Sequence, residues 1–120
     1  MISFNIHKIQ SLKIALLTSD SDNICNVDDA IDLLGNADYL GCRHIFVRSA
    51  QLSQDFFKLN TGLAGAILQK FSTYRMFLAI EGDFSYVPSK SLSDFIYESN
   101  KQGRIIFVNS LDEAGKLFYQ

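Results

Sequence analysis

DFFKLNTGLAGAILQKFSTYRMFLAIEGDFS (residues 55–85) holds a helical pattern and a strand pattern with almost nothing between them. Leu63, Ala64, Ile67, Leu68 and Phe71 fall at the 1, 2, 5, 6, 9 spacing that brings side chains onto one face of an α-helix. Asn60 or Thr61 is placed to cap that helix, and Gly62 frees its corner. Gly65, beside the stripe, is expected to let the helix approach its neighbours closely. Residues 76–81 (MFLAIE) then form a short apolar strand, followed by a turn at Gly82, Asp83, Phe84 and Ser85. A helix delivered straight into a buried strand is the grammar of an α/β fold.

The same alternation extends in both directions. Residues 3–9 and 13–18 are two β-type runs separated by residues 10–12, which predicts an antiparallel pair. Asn26 can cap a helix on which Val27, Ala30, Ile31, Leu34 and Ala37 share a face. Asp28, Asp29, Asp32 and Asp38 are left to solvent, and Gly41 lies past its end. Residues 44–49 (HIFVRS) read as a buried strand, followed by a loop or single turn capped by Ser53. Ser89 or Ser91, after Pro88, caps a helix carrying Leu92, Phe95 and Ile96, and Gly103 closes it. Residues 104–108 are the last strand, and Ser110 with Glu113 matches a capping box for a helix with Ala114, Leu117 and Phe118 facing inward. The expectation is one α/β domain over residues 1–120: a mixed, mostly parallel sheet of about five strands, an antiparallel N-terminal edge strand and four helices. Both sheet faces should be at least partly covered.

Composition narrows the function classes. A chain of 120 residues that is 48% hydrophobic, with 10 phenylalanines and one proline, can build one sizeable core. A net charge of −2 with both signs scattered leaves no footprint for nucleic acid. No apolar run approaches the roughly 20 residues of a membrane span, so membrane insertion is not expected and a cytoplasmic location is. Cys25 and Cys42 read as small buried apolar residues rather than a disulfide or redox pair. Two histidines and two cysteines at unrelated spacing do not compose a zinc site, and Gly62-x-x-Gly65 lacks the spacing of a P-loop or dinucleotide fingerprint. No cofactor is expected.

Ligands of open α/β sheets gather at the carboxyl ends of the parallel strands. That rule collects Thr18, Ser19 and Asp20; Arg48 and Ser49; Gly82, Asp83 and Ser85; Asn109 and Ser110; and Thr61 at a helix start. The candidate binding set is Arg48, Thr61, Gly62, Asp83 and Ser85, able to meet a protein partner or, alternatively, an anionic small molecule. Catalysis is disfavoured, because His44 begins its strand at the opposite end and His7 lies in the N-terminal pair, leaving no base for a hydroxyl nucleophile. Adjacent Phe56 and Phe57 cannot share a direction, so one enters the core and the other is exposed or covers the corner. Exposed aromatics such as Phe4, Tyr86 or Tyr119 offer a homodimer as a further possibility.

The opening stretch, with LAIEGDFS (78–85), SKSLSDFIYESN (89–100) and RIIFVNSLDEA (104–114), resembles the bacterial domain of unknown function 4180 family from about residue 12 onward. That family often carries an acidic residue where this chain has Ala66. The order of elements is also similar to STAS domains, the module of anti-sigma-factor antagonists. In those antagonists the helix opens with Asp-Ser-Ser-Gly and the serine before the glycine is phosphorylated. The matching residues here are Leu59, Asn60, Thr61 and Gly62, so the resemblance implies a regulatory, protein-binding role with Thr61 as phosphosite.

Overall fold

β1 (Phe4–Ile9) and β2 (Leu12–Leu17) pair antiparallel with Ile9 opposite Leu12, so the turn is Gln10–Ser11 alone and Leu12 belongs to the strand. Gln10 takes φ 55°, a left-handed geometry that matches the twist of a tight hairpin. The structure, a computed structural model, describes residues 2–19 and 24–119. β3 (His44–Arg48), β4 (Phe77–Glu81) and β5 (Ile105–Val108) add in parallel to give the order β1-β2-β3-β4-β5.

Because each parallel strand joins the one before it, successive right-handed crossovers stay on one face of the sheet. That face carries α1 (Val27–Tyr39), α2 (Gln54–Phe57), α3 (Leu63–Tyr74) and α4 (Lys90–Gln102), packed on Ala15, Leu17, Ile45, Val47, Leu78, Ile80, Ile105 and Phe107. The alternate residues Ile14, Phe46, Ala79, Ile106 and Val108 face the other way, where among the described residues α5 (Leu111–Tyr119) is the one helix packed on them, through Leu111, Ala114 and Phe118. Both faces are covered, unequally, and the described residues hold the four expected helices with one further single turn of α-helix. The extra one is α2, capped by Ser53 as the sequence suggested and followed by a 3-10 turn at Leu59–Thr61.

Four expectations fail at the level of single side chains. Cys25 is exposed, because its N–H is spent on the Asp29 carboxylate at 2.9 Å in the cap of α1, which turns the residue outward. Cys42 is buried, and burial pushes its thiol pKa up. Gly65 is exposed with open space around it, so it mediates no close approach. On α5 the inward row is Leu111, Ala114, Gly115 and Phe118, at helical spacing, which leaves Leu117 39% exposed. In α1, Leu33 is fully buried, while Val27 and Ile31 are only half-buried.

His44 anchors α5. Its ring stacks on Phe77 at 4.7 Å and meets Phe118 at 4.7 Å. Desolvation, with the charge of Arg43 added, lowers its pKa from the ordinary 6.5. A depressed histidine pKa means that the unfolded chain takes up the proton first as the pH drops. Stability is therefore complete above about pH 6.5 and declines as the pH falls through the lower folded value. Urea unfolding at pH 7.5 and 5 should show that decline in the wild type and a smaller one in His44→Phe. Equal declines would sink the assignment to His44.

Candidate functional site

The loops at the carboxyl ends of β2 and β3 are tied together by a residue that sequence reasoning passed over. Gln51, fully buried, accepts the Arg48 N–H at 2.8 Å and donates to the carbonyls of Leu17 (3.1 Å) and Ser19 (2.6 Å). Arg48 adds an Nη2 donation to the same Ser19 carbonyl at 2.8 Å while its side chain lies at the surface. The exit of β3 is thus clipped to the exit of β2, and an Ile24–Leu52 bridge extends the clip. Nothing local distinguishes Gln51 from a surface glutamine. The sole cue is its place between the end of a strand and buried Leu52. Asp20, from the same expected edge, lies outside the described residues.

The Thr61–Gly62 corner works differently from a simple side-chain cap. Gly62 itself occupies the N-cap position of α3 in the left-handed region, φ 78° and ψ −1°, where a β-carbon is unfavourable. Thr61 Oγ1 lies 2.7 Å from the Asp55 carbonyl and 2.8 Å from that of Lys58, two acceptors for its one proton, and it accepts the Leu63 N–H at 3.2 Å. The corner faces the start of α1 across a shallow pocket of about 300 Å³ bordered by Cys25, Asn26, Asp55 and Ala66.

Asp83 and Ser85 form a local unit. Asp83 Oδ1 accepts the Ser85 hydroxyl at 2.7 Å and the Ser85 N–H at 3.0 Å, and these bonds hold the exposed carboxyl below its usual range. Gly82 fits because a β-carbon there would stand 2.9 Å from the Phe84 ring and 3.0 Å from Ser49 Oγ, which puts this turn against the end of β3.

Of the candidate residues, the structure joins Asp83 to Ser85 and sets Thr61 and Gly62 on one corner. Among the described residues no hydrogen bond links Arg48, Thr61 and Asp83 to one another. Beneath them, aromatic rings fill the interior. Phe56 packs on Phe57 (5.2 Å between centroids) and Phe107 (6.4 Å), Phe84 on Phe57 (6.4 Å) and Phe107 (5.2 Å), and Phe95 on Phe107 (6.2 Å). As expected of the adjacent pair, Phe56 is buried and Phe57 half-buried. Outside this plug, an open groove of about 610 Å³ runs between Phe57, Lys58, Leu59 and Asn60 on one bank and Pro88, Ser89 and Leu92 on the other. Among the described residues no three His, Cys, Asp or Glu side chains gather as metal ligands, and no helix is long and apolar enough to cross a membrane.

No curated protein and no solved structure matches the chain. The sequence profile of the family described as domain of unknown function DUF4180 matches residues 9–117, from the end of β1 into α5. With nine-tenths of its length inside that match, the chain belongs to the DUF4180 family.

Proposed function

We propose that this protein is a non-enzymatic regulatory module, STAS-like in arrangement, that meets a protein partner through Arg48, Thr61, Gly62, Asp83 and Ser85. The observation that carries the reading is the phenylalanine plug: the space under the strand ends is filled by rings, and the polar groups above it are held by the backbone. A rigid, shallow, polar rim suits the docking of another surface, whereas an enclosed ligand needs a concave chamber. The STAS-like reading is supported by the sequential sheet with an antiparallel first strand and by a helix start at Gly62.

Thr61 is the switch in this reading. It is exposed, and its hydroxyl donates towards the backbone carbonyls of Asp55 and Lys58. Phosphorylation would replace a donor by a dianionic acceptor facing carbonyl oxygens, so the corner must open as the charge arrives. A second reading, an anionic small ligand, is favoured by the open groove, which places Lys58 beside the Ser89-capped start of α4.

Native mass spectrometry and cross-linking of the protein isolated from its own host separate these readings. The expected result is a stoichiometric protein partner, cross-linked at the Arg48–Asp83 rim and lost in Arg48→Glu and Asp83→Arg, with any phosphate mapped to Thr61. A retained small-molecule mass with no partner would instead establish the anionic-ligand reading. A partner cross-linked only away from the rim would overturn the first reading, and a bare chain with neither partner nor ligand would overturn both.

A further inference from the structure

The two edges of the sheet are treated in opposite ways. On β5, the backbone groups that bond β4 belong to alternate residues, as the Leu78 N–H to Arg104 carbonyl and Gly82 N–H to Val108 carbonyl bonds show, so Ile105 and Phe107 point outward. Both are covered from α4: Asn100 accepts the Phe107 N–H at 2.7 Å and donates to its carbonyl at 3.3 Å, while Ser99 Oγ donates to the Ile105 carbonyl. The amide of Asn100 stands where a sixth strand would bond. That edge is closed to pairing.

Among the described residues β1 has no such cover. The two-residue turn makes Ile9–Leu12 a bonded pair, and His7–Ile14 and Asn5–Leu16 follow in the same phase. The Thr18 N–H to Ser3 carbonyl bond at 3.0 Å agrees with that phase. The N–H and C=O groups of Phe4, Ile6 and Lys8 therefore point away from β2, and among the described residues no side chain bonds them. Ile6, in the middle of this row, is an apolar side chain left 44% exposed.

We propose that β1 pairs antiparallel with β1 of a second copy of this chain, about a two-fold axis at Ile6. In that register Ile6 opposes Ile6 of the other copy and Phe4 opposes Lys8. Every outward N–H and C=O of the three residues finds a partner, and the Lys8 stem covers the half-buried Phe4 ring. The two Lys8 ammonium groups stand four residues apart along the paired strands, roughly 13 Å, beyond the range of strong repulsion at physiological salt. β1 carries no acidic residue, and the two Lys8 ammonium groups are the like charges that this register keeps apart. A second copy is the occupant because the exposed row is self-complementary and because one open edge per chain closes into a dimer, whereas two would propagate a fibre.

Sedimentation velocity of the full chain from micromolar to millimolar concentration tests this, with Ile6→Lys and Ile6→Glu as variants. Each puts like charges opposite one another and should weaken self-association by at least about tenfold. An equimolar mixture of the two should pair again. Amide exchange at Phe4, Ile6 and Lys8 should slow as concentration rises, while that at His7, already bonded to β2, should not change. A wild-type chain that stays monomeric throughout, or variants that dimerise as it does, would overturn the proposal. Monomeric variants whose mixture does not pair would overturn the axis at Ile6. Circular dichroism of each variant, matched to wild type, shows that pairing rather than folding is read.

Discussion

Replacing Phe56 with alanine lowers the unfolding free energy by about 3–5 kcal/mol, the range of a buried aromatic truncated in a core that only partly collapses. Phe56, on α2, has no exposed surface and faces β5, with Phe57 and Phe107 as ring neighbours. A domain of this kind is stable by about 5–15 kcal/mol, so the loss removes a large part of the total. Urea unfolding followed by circular dichroism reads it directly. A loss below about 1 kcal/mol would mean that the plug is not packed as described. The same change should loosen the rim above it, and a partner that docks on a rigid rim should bind the variant more weakly.

Gln51→Leu is expected to cost about 2–4 kcal/mol, since its near-isosteric side chain keeps the volume but leaves the Arg48 N–H and the Leu17 carbonyl without partners in a buried setting. Ser19 retains the Arg48 guanidinium, which places the expected loss below the sum for all three bonds. Gln51→Glu keeps the acceptor for Arg48 but turns a carboxylate towards two carbonyl oxygens, so it should be no better tolerated. Chemical denaturation gives the free energy, and hydrogen exchange at the Arg48 amide locates it. Unchanged exchange at Arg48 would remove Gln51 from its role as the clip. Because Arg48 is a proposed contact residue, this variant also tests whether the rim depends on the clip for its shape.

The alternation of strand and helix, the caps at Asn26, Ser53, Ser89 and Ser110, the breaks at Gly62 and Gly103, and the antiparallel start were all legible in the residues themselves. Each follows from forces that act within a few residues: apolar spacing, a side-chain oxygen one turn from an unbonded N–H, or a backbone dihedral that favours glycine. The topological rule led to the expectation of Arg48, Thr61 and Asp83 at one edge, because the carboxyl ends of parallel strands lie together. Only the tertiary structure decided what those groups bond to. Gln51 reaches carbonyls 32 and 34 residues away, and Cys25 is turned outward by a cap bond rather than by its own polarity. Likewise, Asn100 looks like any exposed helical asparagine until β5 arrives beside it. Periodicity records which way a side chain points, but its partner comes from a distant segment whose register is set by the packing of the whole sheet. For the same reason the sequence alone indicated an edge strand at β1, while the contrast between an open edge at β1 and one sealed by Ser99 and Asn100 at β5 exists only in the folded chain.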